Sequence, residues 1–346
     1  MALSDALEAG DLRAFRRELA GRGHVESFAG TQLVLEVARR APVTFVEALL
    51  DAGLPIDTPD RTGTTLLRAA VRADRLDTAR LLLRRGARIT ELDLLDGVSW
   101  ASTAVVAELL NVGVDPSGVD GIGRSTLQVA GERGNEDLVF LLLEHGADPL
   151  AGEDPPLAAC LAGHPDAARV LGAAAGARLP PVEDLWEAIA YGLGGSSEDF
   201  WDDTLLPGEL PERWSALPLA ARAQLTELSA GRPVFGFTTL AAFEAVELAD
   251  ELVARPPPAA AVAEDGPIQT VGFHPSWVPL AREADQLLVV DLAPGPLGLR
   301  GQVLHVTRTG GPLGVVASGW GMLLHRQARS LAEDQLDTEP FTVPPG

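Results

Sequence analysis

The chain has 346 residues, enough for two ordinary domains that each bury a core, and its formal net charge at pH 7 is −22. Unbroken apolar runs, such as residues 256–262 and 287–290, are far shorter than a membrane span, and the N-terminus has no apolar stretch typical of a signal peptide. Cys160 is the only cysteine, which excludes an intramolecular disulfide, so we expect a cytoplasmic location.

The negative charge is spread unevenly along the chain. Residues 1–180 contain 26 acidic residues and 18 arginines, a net of −8, whereas residues 181–346 contain 23 acidic residues and 9 arginines, a net of −14. A field of this sign repels nucleic acid and anionic lipid and speeds encounter with basic partners, although solubility alone also explains it. We therefore expect neither nucleic acid nor membrane as a partner. All 27 basic residues are arginine, which together with the abundant glycine indicates a GC-rich, bacterial genome.

The first half of the chain repeats a phrase, apolar-Leu-Leu-x-x-Gly-Ala, at nearly regular intervals. Strong copies end at Gly53, Gly86, Gly113 and Gly146, and weaker copies end at Gly23 and Gly176. The spacings between these glycines are 30, 33, 27, 33 and 30 residues. A period of this length is typical of a stack of small helical units, because one unit cannot bury its apolar face alone.

The stretches 63–71 and 123–131 resemble the phrase G-x-T-P-L-H-x-A-A of ankyrin repeats, although both replace the proline and the histidine. The resemblance implies six ankyrin units over residues 1–178, with the outer two degenerate as caps. Small residues such as Ala70 let inner helices pack closely, and Gly86 and Gly146 are expected to end outer helices in a left-handed turn. The 27-residue spacing predicts a shortened finger near Leu92 to Val98.

Ankyrin repeats bind proteins through their finger tips and the exposed positions of their inner helices, so the resemblance also implies a concave partner-binding face. In this register the face consists of Arg39, Arg40, Arg61, Arg72, Arg124, Glu132 and Arg133. The concentration of arginine in an acidic domain indicates an acidic partner surface or, equally, docking of the acidic C-terminal half. The alternative is that arginine, the only basic residue type present, simply occupies solvated positions.

Residues 181–338 are predicted to form a second domain that combines helices with an antiparallel sheet. Apolar periodicity predicts helices over 182–191, 212–228 with a break near Pro218, 240–254 and 320–331. Strands are expected at 268–273, 286–291, 301–307 and 314–317, separated by glycine-containing turns. Residues 259–267 are predicted to be a flexible loop, and residues 339–346 a disordered tail.

Four motifs mark this second domain: Phe235-Gly236-Phe237 before the predicted helix at residue 240, Trp277-Val278-Pro279-Leu280, the run 287–294 that ends in Asp291-Leu292-Ala293-Pro294, and Gly301-Gln302-Val303-Leu304. Together they resemble the SUKH (Smi/Knr-like) superfamily. The resemblance covers about 100 residues, and the family's usual opening pattern is not found between residues 182 and 232. It implies an α+β protein-binding module in which Trp277, Pro279, Asp291, Pro294, Gly301 and Gln302 form a structural signature. Bacterial members are regarded as immunity proteins that neutralise protein toxins, and fungal members act as interaction hubs.

Candidate catalytic and metal-binding patterns are weak. The acidic cluster 198–203 lacks the alternating spacing of a calcium loop, so we interpret it as a solvated loop or a partner contact. The six histidines show no ligand spacing, and P-loop, zincin and nucleophile-elbow motifs are missing. We therefore expect no catalytic residue, no metal and no cofactor.

Together these patterns predict an all-α ankyrin solenoid followed by an α+β SUKH-like domain. The favoured function is non-enzymatic: binding and neutralising a protein toxin, with a basic toxin the best match to the acidic chain. One alternative is a general intracellular scaffold whose two domains recruit different partners. A second is a cryptic enzyme in residues 181–346, which a pocket lined by His, Asp and Glu would support.

Overall fold

The computed structural model describes residues 3–21, 31–194, 210–228, 230–259, 263 and 266–333. The chain divides into two compact units. The first unit contains residues 1–130 and 135–152, and the second contains residues 131–134 and 153–346. The predicted acidic cluster 198–203 and the predicted tail 339–346 lie outside the described residues, as do residues 260–262, 264 and 265 of the predicted loop 259–267.

The first unit is built from short antiparallel helix pairs. In chain order they are α1 (Leu3–Glu8) with α2 (Leu12–Ala20), α3 (Gln32–Arg40) with α4 (Val43–Asp51), α5 (Leu66–Arg72) with α6 (Leu76–Arg84), α7 (Glu91–Trp100) with α8 (Thr103–Asn111), and α9 (Thr126–Glu132) with α10 (Glu136–Glu144). The inner helices α3, α5 and α7 pack in succession, and the outer helices α4, α6, α8 and α10 do the same. This stacking is the arrangement that the repeat spacing predicts.

Local signals in the sequence account for where these helices begin and end. The side chain of Asn135 accepts a hydrogen bond from the Leu138 amide at 3.0 Å and so caps the first turn of α10. Gly86 and Gly146 follow the outer helices with φ of 86° and 88°, which confirms the predicted left-handed turns. Ala70 is fully buried, consistent with its predicted role in close helix packing.

The finger of the shortened repeat is missing rather than blunted. Inner helix α7 starts at Glu91, only five residues after Gly86, whereas α5 starts at Leu66, thirteen residues after Gly53. The prediction of a reduced finger near Leu92 to Val98 was therefore wrong in position, because those residues form the helix. The deletion removes the extended loop before the helix, and the apolar positions that pack between repeats are kept.

The second unit begins with the last predicted repeat. Its helices are α11 (Pro155–Leu161), α12 (Pro165–Arg178), α13 (Val182–Gly192), α14 (Leu219–Thr226), α15 (Ala242–Ala254) and α16 (Trp320–Ala332), with a 3₁₀ turn at Glu212–Trp214. The amide of Ser318 donates to the buried Asp154 carboxylate at 2.9 Å, and the Cys160 thiol donates to the Leu297 carbonyl at 2.7 Å. These bonds join α11 to the C-terminal elements. The division between the two compact units thus falls near residue 152, whereas the predicted boundary between the ankyrin repeats and the second domain lies at residues 178–181.

The sheet of the second unit is a six-stranded antiparallel meander. Its strands are β1 (Pro233–Val234), β2 (Phe237–Thr239), β3 (Trp277–Glu283), β4 (Gln286–Asp291), β5 (Val303–Thr307) and β6 (Gly311–Ala317), in the order β1-β2-β3-β4-β5-β6. Helix α15 packs on β3, and α16 packs on α13 and β6. The core between these layers is rich in aromatic residues and includes the fully buried Trp186, Trp214, Trp277 and Trp320. An all-α unit followed by an α+β unit with an antiparallel sheet confirms the predicted fold class.

Strand β3 is the longest of three strands that were not predicted from the sequence, the other two being β1 and β2. It contains Pro279, which cannot donate a ladder hydrogen bond, and the register shifts between Pro279 and Ala281. This bulge lets a proline lie inside an interior strand, where Leu280 instead accepts a bond from the Leu240 amide at 2.8 Å. The predicted strand at 268–273 was wrong: these residues form no strand, and Gly272 lies directly against the Pro257 backbone.

Candidate functional site

The predicted binding face begins at the C-terminal end of α3, where two arginines share one carboxylate. Arg39 Nη1 lies 3.5 Å from Glu36 Oε1, and Arg40 Nε lies 2.9 Å from Glu36 Oε2. The Arg40 side chain is 80% exposed, so the pair lies in solvent and contributes little to stability. Two guanidinium groups thus share one carboxylate at this helix end, and Arg39 also interacts electrostatically with Asp60.

A second carboxylate that binds two arginines lies between α5 and α7. Arg68 and Arg72 both contact Asp96, with Arg72 Nε at 3.0 Å from Asp96 Oδ2. Asp96 is buried, while the Arg72 side chain is 44% exposed. The buried Asp96 carboxylate therefore holds both guanidinium groups in place, and the Arg72 side chain remains accessible to solvent. Arg68 and Asp96 were missed by the sequence analysis, because a pair separated by 28 residues becomes visible only when the repeats are stacked.

The finger tips carry two further predicted residues, Arg61 and Arg124. Arg124 Nε pairs with Asp120 Oδ2 at 2.9 Å, whereas Arg61 is exposed and makes no hydrogen bond or ion pair with any described residue. The turn beside Arg61 is rigid because Asp60 accepts from the Thr62 hydroxyl at 2.7 Å. This hydrogen bond and the amide of Thr64 lower the pKa of Asp60 below its usual range.

Not all of the predicted face lies in one unit. Arg39, Arg40, Arg61, Arg72 and Arg124 belong to the first unit, whereas Glu132 and Arg133 fall within the second. The first unit therefore brings together the helix-end residues Arg39, Arg40 and Arg72 on neighbouring packed helices.

Trp100 is a further residue of this surface that the sequence analysis missed. It is the last residue of α7 and is 67% exposed, which is unusual for so large an apolar side chain. Trp100 lies thirteen residues before Gly113, as Arg40 lies thirteen residues before Gly53, so repeat register could have located it. The ends of α3, α5 and α7 together form what we call the arginine–tryptophan row: Arg39, Arg40, Arg72 and Trp100.

Four of the six predicted signature residues of the second unit meet at one buried carboxylate, that of Asp291. Asp291 Oδ1 accepts from Trp277 Nε1 and from the Ala293 amide, both at 2.9 Å. Asp291 Oδ2 accepts from Gln302 Nε2 at 3.1 Å, and the Asp291 carbonyl accepts from the Gly301 amide at 2.7 Å. The network ties the end of β4 to the start of β3 and to the turn before β5. That the second domain belongs to the SUKH superfamily stays a prediction.

Gln302 extends this network on its other side. Its Nε2 also donates to the Pro267 carbonyl at 2.8 Å, and its Oε1 accepts from the Leu299 amide at 3.0 Å. Asp291 is fully buried, and the loss of hydration outweighs these donors and raises its pKa to about 6. Pro279 and Pro294, the remaining signature residues, lie at the β3 bulge and in the turn after β4.

The remaining chemically notable groups do not form a reactive centre within the described residues. Burial raises the pKa of the Cys160 thiol to about 11, which disfavours the nucleophilic thiolate. Among the residues that the structure describes, no cluster of three or more His, Cys, Asp or Glu side chains could hold a metal ion. Within the same residues, no helix is both long and apolar enough to cross a bilayer.

Comparison with known proteins finds similarity in the N-terminal part of the chain. A stretch of 120 residues is 35% identical to human neurogenic locus notch homolog protein 2 and covers 32% of this chain. A stretch of 114 residues is 32% identical to a putative ankyrin repeat-containing protein of Treponema pallidum and covers 31% of this chain. Zebrafish neurogenic locus notch homolog protein 1 is 34% identical over 120 residues. No protein-family model matches the chain.

These matches span only part of each relative. The aligned stretch is 5% of the length of the notch proteins and 38% of the length of the Treponema protein. They identify ankyrin-like repeats in the N-terminal region, in agreement with the stacked helix pairs. The similarity supports a protein-binding role, and it does not extend to the sheet-containing unit.

Proposed function

We propose that this protein is a non-enzymatic binding protein whose first unit holds an acidic segment of a partner protein at the arginine–tryptophan row. The single observation that carries the proposal is the two-thirds exposed Trp100 at the end of α7, on the helix next to the one that ends in Arg72. Tryptophan and arginine are the residues most enriched among those that dominate binding energy at protein interfaces.

The two carboxylates that bind these arginines favour a role of the arginines in partner binding. Glu36 and Asp96 each hold two guanidinium groups, so the arginines are positioned before a partner arrives and lose less side-chain entropy on binding. Arg39 and Arg68 also interact electrostatically with Asp60 and Asp93, so the exposed Arg40 and Arg72 are the charges that a partner can reach. A partner segment with one or two carboxylates beside an apolar side chain complements this row.

The test begins with capture of the tagged full-length chain from its native cells and identification of a stoichiometric partner. The dissociation constant of the purified partner is then measured by calorimetry for Trp100→Ala and Arg40→Glu. We expect each variant to weaken binding about tenfold, equivalent to roughly 1.4 kcal/mol.

Two matched controls lie on the outer helices. Phe140→Ala removes an aromatic side chain of α10 that is 49% exposed, and Arg84→Glu reverses an exposed arginine at the end of α6. Both are expected to leave the dissociation constant within about twofold, which is the range of most surface changes. If the row variants and the control variants weaken binding equally, or if none does, the row is not the binding surface.

We further propose that the partner is a bacterial protein toxin that the chain neutralises in the cytoplasm. The resemblance of the motifs at residues 277–304 to the SUKH superfamily supports this proposal, as does the net charge of −14 carried by residues 181–346. A field of that sign complements a basic toxin and accelerates its capture. Growth of cells that express the captured partner, with and without this chain, provides the test. A partner that is harmless when expressed alone would leave a scaffold that recruits different proteins as the better explanation.

A further inference from the structure

The second unit contains a cavity of about 960 Å³ that the proposed protein binding does not use. It lies between α12, the start of α13, α14, the start of α16 and the loop at residues 294–301. Its volume is at the upper end of the range for small-molecule sites. All of its walls belong to the second unit.

The cavity exists because the last helix pair departs from the repeat pattern. Outer helices α6 and α10 have two leucines at the positions four and three residues before the glycine that ends each repeat. These pairs are Leu82-Leu83 before Gly86 and Leu142-Leu143 before Gly146. The equivalent positions of α12 are Gly172 and Ala173, before Gly176, and all three line the cavity. A Cβ atom placed on Gly176 would have no heavy atom within 4 Å. The side chains that fill this space in other repeats are thus missing here.

Most of the cavity wall is apolar. Leu179, Leu299 and Met322 line it, and Leu219 at the start of α14 faces it with 85% of its surface exposed. An exposed leucine beside a concave apolar wall is typical of a binding site rather than of a solvated helix end. The apolar part of an occupant would therefore lie against α12, whose lining from Ala168 to Gly176 spans about 12 Å.

Two arginines reach the cavity at the loop and at the first turn of α14. Pro218 Cγ lies 2.8 Å from the position of a Cβ on Gly301, which places Arg300 beside the start of α14, and Arg222 follows one turn later. The Arg222 guanidinium donates to the Ser215 carbonyl through Nη2, which fixes its position at the cavity wall. Arg300 is exposed and makes no hydrogen bond or ion pair with any described residue. Arg169, the third arginine of the wall, is paired with Asp166.

The amino end of α16 adds unpaired donors to the same cavity. Gly319 caps this helix without a side chain, and the amides of Trp320, Gly321 and Met322 donate to no described residue. Trp320 is 1% exposed, lines the cavity, and its indole N–H has no partner within the described residues. Backbone amides at a helix start attract a negative group, and the three residues that carry these amides line the cavity although each is buried.

The charges of the wall indicate a single negative group on the occupant. Glu183 and Glu227 also line the cavity, at the first turn of α13 and just after α14, so a multiply charged anion is disfavoured. No residue of the six strands lines the cavity, so an extended peptide would find no strand edge to pair with. We propose that the cavity binds a small amphipathic carboxylate, of the medium-chain fatty acid class, with its head group at Arg222, Arg300 and the start of α16.

The probe for this site is decanoate, measured by displacement of 11-(dansylamino)undecanoate from the purified full-length chain. Decanol serves as the uncharged comparison. We expect decanoate to bind at least tenfold more tightly than decanol, and Arg300→Gln to remove most of that difference, because the charge-assisted contact is lost. Equal affinity of the acid and the alcohol would overturn the assignment of a carboxylate site.

A pair of leucine substitutions on α12 tests the location. Gly176→Leu places a side chain in the cavity where no atom stands within 4 Å, whereas Ala177→Leu adds the same bulk at an exposed position that does not line the cavity. Both changes favour helix or leave helix propensity nearly unchanged, so the chain is expected to fold. Gly176→Leu should weaken decanoate binding more than tenfold, and Ala177→Leu should not. Equal binding by these two variants, or no decanoate binding by the native chain, overturns the proposal.

Discussion

Replacing Asp291 by asparagine isolates the effect of burying this carboxylate. Asp291 is fully buried, and burial raises its pKa from 3.8 to about 6. Since the folded state then holds a proton that the unfolded state has released, stability falls as pH rises between these two values. A shift of about two units corresponds to a destabilisation of about 3 kcal/mol that is complete above pH 6 and vanishes below pH 4. Asparagine cannot titrate, so the variant lacks this dependence.

The assay is urea unfolding followed by tryptophan fluorescence, with Trp277 in direct contact with residue 291. Measurements from pH 5 to 7.5 stay above the isoelectric point of about 4.6. They cover about half of the pH-dependent change in stability that Asp291 causes. Over this range the native chain should lose roughly 1.5 kcal/mol of unfolding free energy relative to Asp291→Asn. The other titrating carboxylates are common to both chains, so their contributions cancel in the difference.

A nearby surface residue provides the control. Asp285→Asn changes an exposed carboxylate in the turn between β3 and β4, and its stability should follow that of the native chain at every pH. The unfolding free energies of the native chain and Asp291→Asn could instead differ by an amount that stays constant to within about 0.5 kcal/mol from pH 5 to 7.5. Burial would then not raise the pKa of Asp291, and the reasoning fails.

Three further predictions concern single side chains. Asp96→Ala leaves two arginines without their shared carboxylate and should lower the unfolding free energy of the first unit by about 2 kcal/mol in urea. Asp51→Ala, which breaks an exposed ion pair, should change the same free energy by less than about 0.5 kcal/mol. Gly86→Ala forces alanine to a φ of 86° and should lower the melting temperature, whereas Gly176→Ala, within a helix, should raise it; a decrease in both would contradict this. Cys160 should resist iodoacetamide at pH 8 until urea unfolds the chain, and rapid labelling of the folded chain would refute its burial.

Local and periodic features of the fold were accessible from the sequence. The helix pairs, the glycine turns and helices such as α13 and α16 follow from apolar spacing and from residues with restricted conformations, which act within a few positions of the chain. The motif residues Asp291 and Gln302 were selected by resemblance, and the structure brings them into one hydrogen-bonded network. Their contact depends on three strands meeting, which spacing alone does not specify.

The features that were missed depend on contacts between distant parts of the chain. Strand β3 was not predicted because Pro279 argues against an interior strand unless a bulge accommodates it. The run 268–273 has the composition of a strand, yet it forms none, and the Pro267 carbonyl directly before it accepts hydrogen bonds from Gly295 and Gln302 instead. Asp96 and Trp100 acquire their roles only when three inner helices stack.

The attachment of α11 to the C-terminal elements has a consequence for synthesis of the chain. Cys160 and Asp154 bond to residues that lie 137 and 164 positions later, Leu297 and Ser318. At 5–20 residues per second, Ser318 is added to the nascent chain roughly 10 to 30 seconds after Asp154. During that interval the Asp154 carboxylate and the Cys160 thiol lack the bonding partners that they have in the folded chain. The helix pair 155–178 can therefore complete its packing within the second unit only after the C-terminal elements have been synthesised.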